Sequence, residues 1–189
     1  FYITVSSGTA TVSQVNTMSD FSTSGAITAT ISNTDIAELD DLSTGSADQL
    51  TITVASTSAT AAQLKAVGDA TGLNVTATAV DAITNSSVSQ VKSLLTDEGS
   101  TGDKVNLDGN FTVAINNTGT VDAADLNTID TATSGLVTAT GVATINGTAS
   151  AITTLIGNEG TSGDKVALDT DFAMTVSSGQ ATVAEANTM

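Results

Sequence analysis

The chain has 189 residues, with 20 acidic side chains against four lysines and a formal net charge of −16. Such a charge repels phosphate backbones and anionic headgroups, which excludes nucleic acid and anionic membranes as partners. The sequence has neither cysteine nor histidine. Disulfides, thiolate metal sites and the commonest general base are therefore excluded too. No apolar run is long enough for membrane insertion.

The chain is built from repeats. Its opening stretch, FYITVSSGTATVSQVNTM (1–18), returns at the end as FAMTVSSGQATVAEANTM (172–189). The first half of each repeat alternates apolar and polar residues, which is the period of a half-buried strand. The second half has apolar residues at the spacing of one helix face. We therefore predict one strand and one short helix for each repeat.

Seven strands are predicted in chain order, each with its apolar side chains facing inward. The first carries Phe1, Ile3 and Val5. The others carry Ile27, Ala29 and Ile31; Leu50, Ile52 and Val54; Val75, Ala77 and Ala79; Phe111, Val113 and Ile115; Val137 and Ala139; and Phe172, Met174 and Val176.

Seven helices are predicted to follow these strands, each with apolar residues one, four and seven positions after its N-cap. In several of them glutamine or glutamate stands three positions after the cap, which is typical of a capping box. Successive caps are about 24–27 residues apart in most repeats and about 35 apart in two of them. The caps are Thr11, Asp35, Thr60, Ser87, Asp122, Thr148 and Thr182.

The two longer repeats contain acidic inserts of similar sequence, TDEGSTGDKVNLDGN (96–110) and GNEGTSGDKVALDTD (157–171). Carboxylate oxygens on glycine-rich turns suit calcium, which takes six to eight oxygen ligands in flexible geometry. The alternative is a solvated loop in which aspartate and glycine only form turns. The candidate calcium ligands are Asp97, Glu98, Asp103, Asp108, Glu159, Asp164, Asp169 and Asp171.

Strand–helix–strand crossovers give parallel pairing, and iteration at this spacing predicts a parallel β-solenoid with one strand and one short helix per rung. The alternative is an all-β parallel β-helix whose helical halves are irregular corners. We expect residues 1–189 to form one array of seven rungs. Because both ends fall within a repeat, we also expect the chain to be a fragment of a longer array.

Paired threonines form a second candidate site on the outward faces of four predicted strands. Stacked strands would align them into a flat surface that resembles the ice-binding face of solenoid antifreeze proteins. The same pattern fits ordinary exposed strand positions, where threonine is favoured. The pairs are Thr28 and Thr30, Thr51 and Thr53, Thr76 and Thr78, and Thr138 and Thr140.

Catalysis would need serine with lysine, or paired carboxylates, in a chain without histidine or cysteine. Lys104 and Lys165 recur beside Asp103 and Asp164 at matching positions of the two inserts. A repeated Asp-Lys pair is typical of a structural ion pair rather than of a single active site. We therefore predict that the chain is not an enzyme.

Four stretches resemble a known type of repeat: SGTATVSQVNTM, SGQATVAEANTM, VDAADLNTIDTATSGLVTAT and INGTASAITTL. They are similar to the tandem repeats of very large cell-surface and extracellular proteins of marine cyanobacteria and related bacteria. The resemblance implies a secreted, surface-attached or fibre-forming product, often associated with calcium, and it supplies no catalytic residues. The chain departs from the repeats-in-toxin pattern because it lacks the glycine–aspartate nonapeptide.

The main hypothesis from the sequence is a structural extracellular protein whose rungs stack continuously into a fibre, surface layer or adhesin stalk. Its partner would then be further copies of itself. The alternative is a calcium-dependent adhesion module whose inserts contact cell-surface carbohydrate. Ice binding is a less favoured third function.

Overall fold

The structure is a computed structural model that describes residues 2–22, 25–178, Ala181 and Ala186. Within these residues the chain is an α/β fold of three sheets and six helices, and its strand pairings are parallel. The helices are α1 (Val12–Phe21), α2 (Ile36–Leu39), α3 (Ala61–Asp69), α4 (Val88–Thr96), α5 (Ala123–Asp130) and α6 (Ala149–Gly157).

Thirteen strands are present in this part of the chain, and most of them are short. They are β1 (Ile3–Thr4), β2 (Ile27–Thr30), β3 (Gln49–Thr53), β4 (Ser58–Ala59), β5 (Val75–Ala77), β6 (Ala82–Ser86), β7 (Val105–Leu107), β8 (Thr112–Ile115), β9 (Thr120–Asp122), β10 (Val137–Ala139), β11 (Thr144–Thr148), β12 (Val166–Leu168) and β13 (Ala173–Ser178).

The predicted β-solenoid with one strand and one short helix per rung is wrong, because six of these strands have no counterpart in the prediction. The missed strands β4, β6, β7, β9, β11 and β12 are short, and several adjoin glycine-rich or acidic turns. The sequence pattern assigned them to loops. Parallel hydrogen bonding to neighbouring strands fixes segments that are too short to show a clear alternation or that, like the five-residue β6 and β11, contain a single large apolar side chain. The six helices also exclude the all-β alternative, and the filament of stacked rungs, which depended on the solenoid, is withdrawn with it.

The chain folds into two compact units, of which the first comprises Phe1–Asp81 and Thr96–Asp108. Its main sheet has the strand order β1-β2-β3-β5-β7. The register pairs Ala29 with Leu50 and Val75 with Val105. Apolar side chains of neighbouring strands therefore lie side by side on the buried face.

The second unit comprises Ala82–Leu95 and Gly109–Met189. Strands β12, β10, β8 and β6 are neighbours in that order, and β13, β11 and β9 form another sheet. Val137 of β10 pairs with Val113 on one side and with Val166 on the other. This places three valines in one row of the core.

The buried core consists mainly of alanine, valine, isoleucine and leucine, and among the described residues Phe111 is the largest fully buried side chain. Each fully buried valine, leucine or isoleucine stabilises the fold by roughly 1.5–3 kcal/mol relative to an exposed position. Small and branched side chains allow the short strands and helices to pack closely without large aromatic residues.

The predicted helix starts are confirmed for all six helices that the structure describes. Thr11 and Thr60 are N-caps in complete capping boxes with Gln14 and Gln63. Ser87 makes the same two reciprocal hydrogen bonds with Gln90. Asp35, Asp122 and Thr148 are the remaining N-caps. The seventh helix, predicted to begin at Thr182, lies outside the described residues apart from Ala186, and so does the inward position of Phe1.

Polar side chains from the following repeat complete three of these helix starts. The first helical N–H of α1, at Val12, donates to Asn33 Oδ1 at 2.9 Å. The first N–H groups of α2 and α4 donate in the same way to Ser56 Oγ at 2.9 Å and to Asn117 Oδ1 at 2.8 Å. These N–H groups have no partner within their own helix. The contacts therefore join consecutive repeats.

Buried polar side chains support the strands where they begin. The Thr71 hydroxyl accepts from the N–H of Leu50 and donates to its carbonyl, both at 2.9 Å. Thr133 makes the same donation to the carbonyl of Phe111, and Asp48 accepts from the N–H of Ile27 at 2.7 Å. Because buried main-chain groups need partners, these side chains stabilise the fold by satisfying main-chain groups at or beside the starts of β2, β3 and β8.

The last predicted strand does not face inward as expected. Met174 and Val176 are 38% and 39% exposed, and Phe172 is half-buried. The equivalent strand β8 pairs on both sides, with β6 and β10. Among the described residues, β13 pairs only with β11. A strand covered on one side leaves part of its apolar surface in contact with solvent.

Candidate functional site

The two acidic inserts fold into loops of the same shape, called here the first loop (96–108) and the second loop (157–169). In the first, the N–H of Val105 donates to the carbonyl of Asp97 at 2.8 Å, and in the second Val166 donates to Asn158 at 3.1 Å. A return bond at 3.0 or 3.1 Å closes each loop. Gly102 and Gly163 have φ of 72° and 70°, which favours glycine at both turns.

A lysine crosses the inside of each loop. The methylene chain of Lys104 lies over Gly99, and that of Lys165 lies over Gly160. A Cβ would lie 3.4 Å from the lysine Cγ at Gly99 and 3.0 Å from it at Gly160. Glycine at these positions therefore leaves space for the lysine. In each loop the ammonium returns to the residues at the end of the preceding helix.

Cations surround the carboxylate in the first loop. Asp97 lies 3.0 Å from Lys65 Nζ and 3.8 Å from Lys104 Nζ, and Lys65 also pairs with Asp69. Hydrogen bonds and charge from Asp69 and Asp97 raise the pKa of Lys65, against the opposing effect of burial. Lys104 Nζ also donates to the carbonyl of Thr96 at 2.8 Å. Asp97 thus forms ion pairs with Lys65 and Lys104.

The second loop has a carboxamide at the same position. Asn158 Oδ1 accepts from Lys165 Nζ at 3.1 Å, while its Nδ2 donates to Asp130 Oδ2. Asp130 is only 8% exposed, and its other oxygen, Oδ1, is buried with no hydrogen-bond partner among the described residues. The three side chains form a continuous chain from ammonium to amide to carboxyl.

Burial raises the pKa of Asp130, and the charge of Asp164 adds to this effect. The hydrogen bond from Asn158 and the charge of Lys165 act in the opposite direction. The carboxyl therefore holds its proton to a higher pH than an ordinary aspartate. Such a group is suited to donate a proton to a neighbouring atom.

A cleft of about 310 Å³ adjoins this cluster. It is lined by the turn 131–134 after α5 and by Asp130, Asn158 and Asp164. The cleft therefore opens beside the Asn158 amide and the Asp130 carboxyl, whose Oδ1 is itself buried.

Most of the predicted calcium ligands lie apart from this cluster, on the loop surfaces. Asp97 is half-buried, and the other seven are exposed. Among the described residues, no group of three or more carboxylates is arranged to hold a metal ion. Calcium binding therefore stays a prediction. The exposed seven are Glu98, Asp103, Asp108, Glu159, Asp164, Asp169 and Asp171.

The threonine pairs do not form one continuous row. Thr28 pairs across the sheet with Gln49, and Thr76 pairs with Asn106. Thr138 is half-buried between Ala114 and Ala167. A flat ice-binding face needs an uninterrupted array, so this arrangement does not favour that function.

Sequence reasoning missed Asp130 and Asn158. Asp130 carried one local signal, because an acidic residue at the C-terminal end of a helix opposes the helix dipole and needs a compensating contact. Asn158 stands where the first insert has Asp97, and this difference between two nearly identical stretches is visible in the sequence. Their proximity in space depends on how α5 and α6 pack.

Comparison of the chain with protein-family models, with curated proteins and with solved structures gave no match. In the described part of the chain, no helix has both the length and the apolar character needed to cross a membrane. The contacts described above are therefore the basis for a functional assignment.

Proposed function

We propose that the chain is a structural segment of a secreted or cell-surface protein, a scaffold of repeated α/β units rather than an enzyme. The observation that carries this proposal is the closure of both acidic inserts into the same lysine-filled loop. The recurring charged residues Lys104 and Lys165 bind within their own loops. In a repeat protein, stability comes from such contacts within and between neighbouring units.

The polar contacts between repeats support the same proposal. Asn16 Nδ2 donates to the carbonyl of Asp41 at 2.8 Å, and Asn127 Nδ2 donates to that of Ala151 at 3.0 Å. Lys92 and Asp125 form an ion pair between α4 and α5. Repetition of one residue type to join successive units is expected of a scaffold.

The charge and composition fit an extracellular location. A net charge of −16 favours solubility through charge repulsion, and a chain without cysteine needs no disulfide in an extracellular compartment. Acidic surfaces remain well solvated in salt water, where their mutual repulsion is screened.

Association with further copies of the repeat is part of this proposal. Strand β13 carries the exposed Met174 and Val176 and pairs on one side only among the described residues. Such an edge is a template for another strand. Sedimentation velocity at rising concentration should show self-association that Val176→Lys weakens, whereas the exposed control Thr175→Lys should have a smaller effect.

Native-state proteolysis combined with a glycan array tests the scaffold function. We expect the folded chain to resist a broad-specificity protease and to bind no glycan on the array, with or without calcium. Rapid digestion at the rate of a urea-unfolded sample would contradict the scaffold. Specific, saturable glycan binding would favour adhesion instead.

Calcium-dependent adhesion, with cell-surface carbohydrate as the partner, is the second candidate. It is favoured by six exposed acidic residues on two loops of the same shape, together with Asp171 just after the second loop, because exposed carboxylates are free to bind a cation. Isothermal titration with calcium should then give heat that Asp103→Asn and Asp164→Asn abolish together. The matched control, Asp20→Asn on α1, should leave it unchanged, and absence of heat in the unaltered chain would exclude this candidate.

A further inference from the structure

We propose that Lys165 and Asn158 become joined by a covalent isopeptide bond, with Asp130 as the proton-transfer group. The reacting side chains are already in hydrogen-bond contact. Lys165 Nζ lies 3.1 Å from Asn158 Oδ1, and the Nδ2 of the same amide donates to Asp130 Oδ2. The amine, the amide and the acid of an intramolecular transamidation thus lie in one cluster. The inference goes beyond the proposed function and does not depend on it.

The main chain holds both reacting residues in place. The N–H of Asn158 donates to Thr154 at 3.2 Å as α6 ends, and its carbonyl accepts from Val166 at 3.1 Å. The carbonyl of Lys165 accepts from Val137 at 2.9 Å. Gly160 leaves space beneath the lysine methylenes. Two groups fixed in contact react as if at a very high local concentration.

The reaction balances without any co-reactant. The Lys165 ammonium releases a proton, the Asp130 carboxylate takes one up, and the free amine attacks Cγ of Asn158. A bond forms between Nζ and Cγ, and the bond between Cγ and Nδ2 breaks. Asp130 delivers its proton to Nδ2, which leaves as ammonia. Nζ, now bonded to Cγ, releases its extra proton to solvent, and the ammonia takes up one proton from solvent. A lysine ammonium and an amide thus give a substituted amide and an ammonium ion.

The environment of Asp130 suits this role. Its carboxyl is 8% exposed and touches the leaving nitrogen, and burial raises its pKa. Oδ1 has no hydrogen-bond partner among the described residues, so one oxygen remains available to carry the proton. The adjoining cleft lets the released ammonia escape.

The first loop is a natural control. It has the same shape and the equivalent lysine, Lys104, but Asp97 replaces the amide and is paired with Lys65. The helix position that corresponds to Asp130, eight residues after the N-cap, is Gly68. A carboxylate is a poor electrophile, and no acid stands beside it at this position. Lys104 should therefore stay a free amine.

Intact-mass spectrometry of the purified full chain tests the proposal. We expect a mass lower than that of the sequence by about 17 Da, the mass of one ammonia. Tandem mass spectrometry should place the loss in a peptide that joins residues 158 and 165. Amine acetylation should modify Lys104 but not Lys165. The full sequence mass, with Lys165 acetylated, would overturn the proposal.

Three variants separate this bond from cyclisation of an asparagine into a succinimide, which loses the same mass. Lys165→Arg, Asn158→Ala and Asp130→Asn should each restore the full mass. A loss that persists in Lys165→Arg would overturn the proposal, because a succinimide needs no lysine. The masses are measured on denatured protein, so a mass is obtained for every variant. Where a variant folds poorly, the mass of the unaltered chain still decides the question.

Discussion

Asp97 and Asn158 occupy the same position in two loops of the same shape, but one is a carboxylate and the other is a carboxamide. The carbonyl of each accepts a hydrogen bond from the valine that begins the following strand. Lys65 on α3 binds Asp97, and Asp130 on α5 binds Asn158. A lysine therefore binds the charged loop side chain, Asp97, and an aspartate binds the neutral one, Asn158.

Replacing Asn158 by aspartate and Asp97 by asparagine should change the free energy of unfolding by different amounts. Asn158→Asp replaces a donor by a second carboxylate beside Asp130, so we expect a loss of about 1–3 kcal/mol in the free energy of unfolding near neutral pH. The loss should shrink in acid as the carboxylates protonate. Urea unfolding at two pH values measures both effects.

Asp97→Asn is the matched change in the first loop. It removes two partly exposed ion pairs, with Lys65 and Lys104, so we expect a loss of no more than about 1 kcal/mol that falls further at high salt. Equal losses for the two variants, with the same dependence on pH, would contradict the difference described between the loops.

Asp130 should make stability depend on pH. Because its pKa is raised in the folded chain, folding favours the protonated form. The protonated carboxyl contributes its full stabilisation below the pKa of about 3.9 that aspartate has in the unfolded chain. This stabilisation is lost as the pH rises through the pKa of Asp130 in the folded chain. Asparagine does not titrate, so Asp130→Asn should become progressively more stable relative to the unaltered chain as pH rises. Parallel stability curves, measured by urea unfolding across this range, would show that Asp130 has no such role.

Substitution of a buried threonine should lower the stability of the fold more than substitution of an exposed one. Thr133→Val removes the hydroxyl that binds Phe111 and Gly135, and loss of buried partners costs about 1–3 kcal/mol. Thr76→Val changes an exposed residue of β5, so it should alter stability by less than about 0.5 kcal/mol. Thermal unfolding of both variants gives the comparison, and equal melting temperatures would be inconsistent with the buried contacts.

Two glycines of the second unit test the close packing of consecutive repeats. A Cβ at Gly135 would lie 2.3 Å from the carbonyl oxygen of Phe111, whereas one at Gly119 would meet nothing within 4 Å. Gly135→Ala should destabilise the fold by roughly 1–3 kcal/mol. Gly119→Ala should be neutral or slightly stabilising. A neutral Gly135→Ala, measured by chemical unfolding, would mean that the two segments are not packed so closely.

The sequence predicted helix starts better than it predicted strands. N-cap chemistry is local, so residues such as Thr11 and Thr60 can be recognised within four positions of the chain. Strands such as Val105–Leu107 and Val166–Leu168 depend on hydrogen bonds to distant segments and have only three residues each. Their alternation is too short to detect, and counting only the clear strands led to the wrong fold.

The candidate site was only partly predictable for the same reason. The matching inserts, their glycines and the recurring Lys104 and Lys165 are visible in the sequence. The partners of these lysines were not predicted, because Asp103 and Asp164 are their sequence neighbours, whereas the contacts go to Asp97 and Asn158. Asp130 lies 28 residues before Asn158, and only helix packing brings them together.

Immunogold electron microscopy with antibodies to the purified chain tests the proposed surface location most directly, on intact and permeabilised cells of the organism that makes it. A structural segment of a secreted or cell-surface protein should label the outside of intact cells, and brief external proteolysis should remove that label. Label found only inside permeabilised cells would contradict the proposed function.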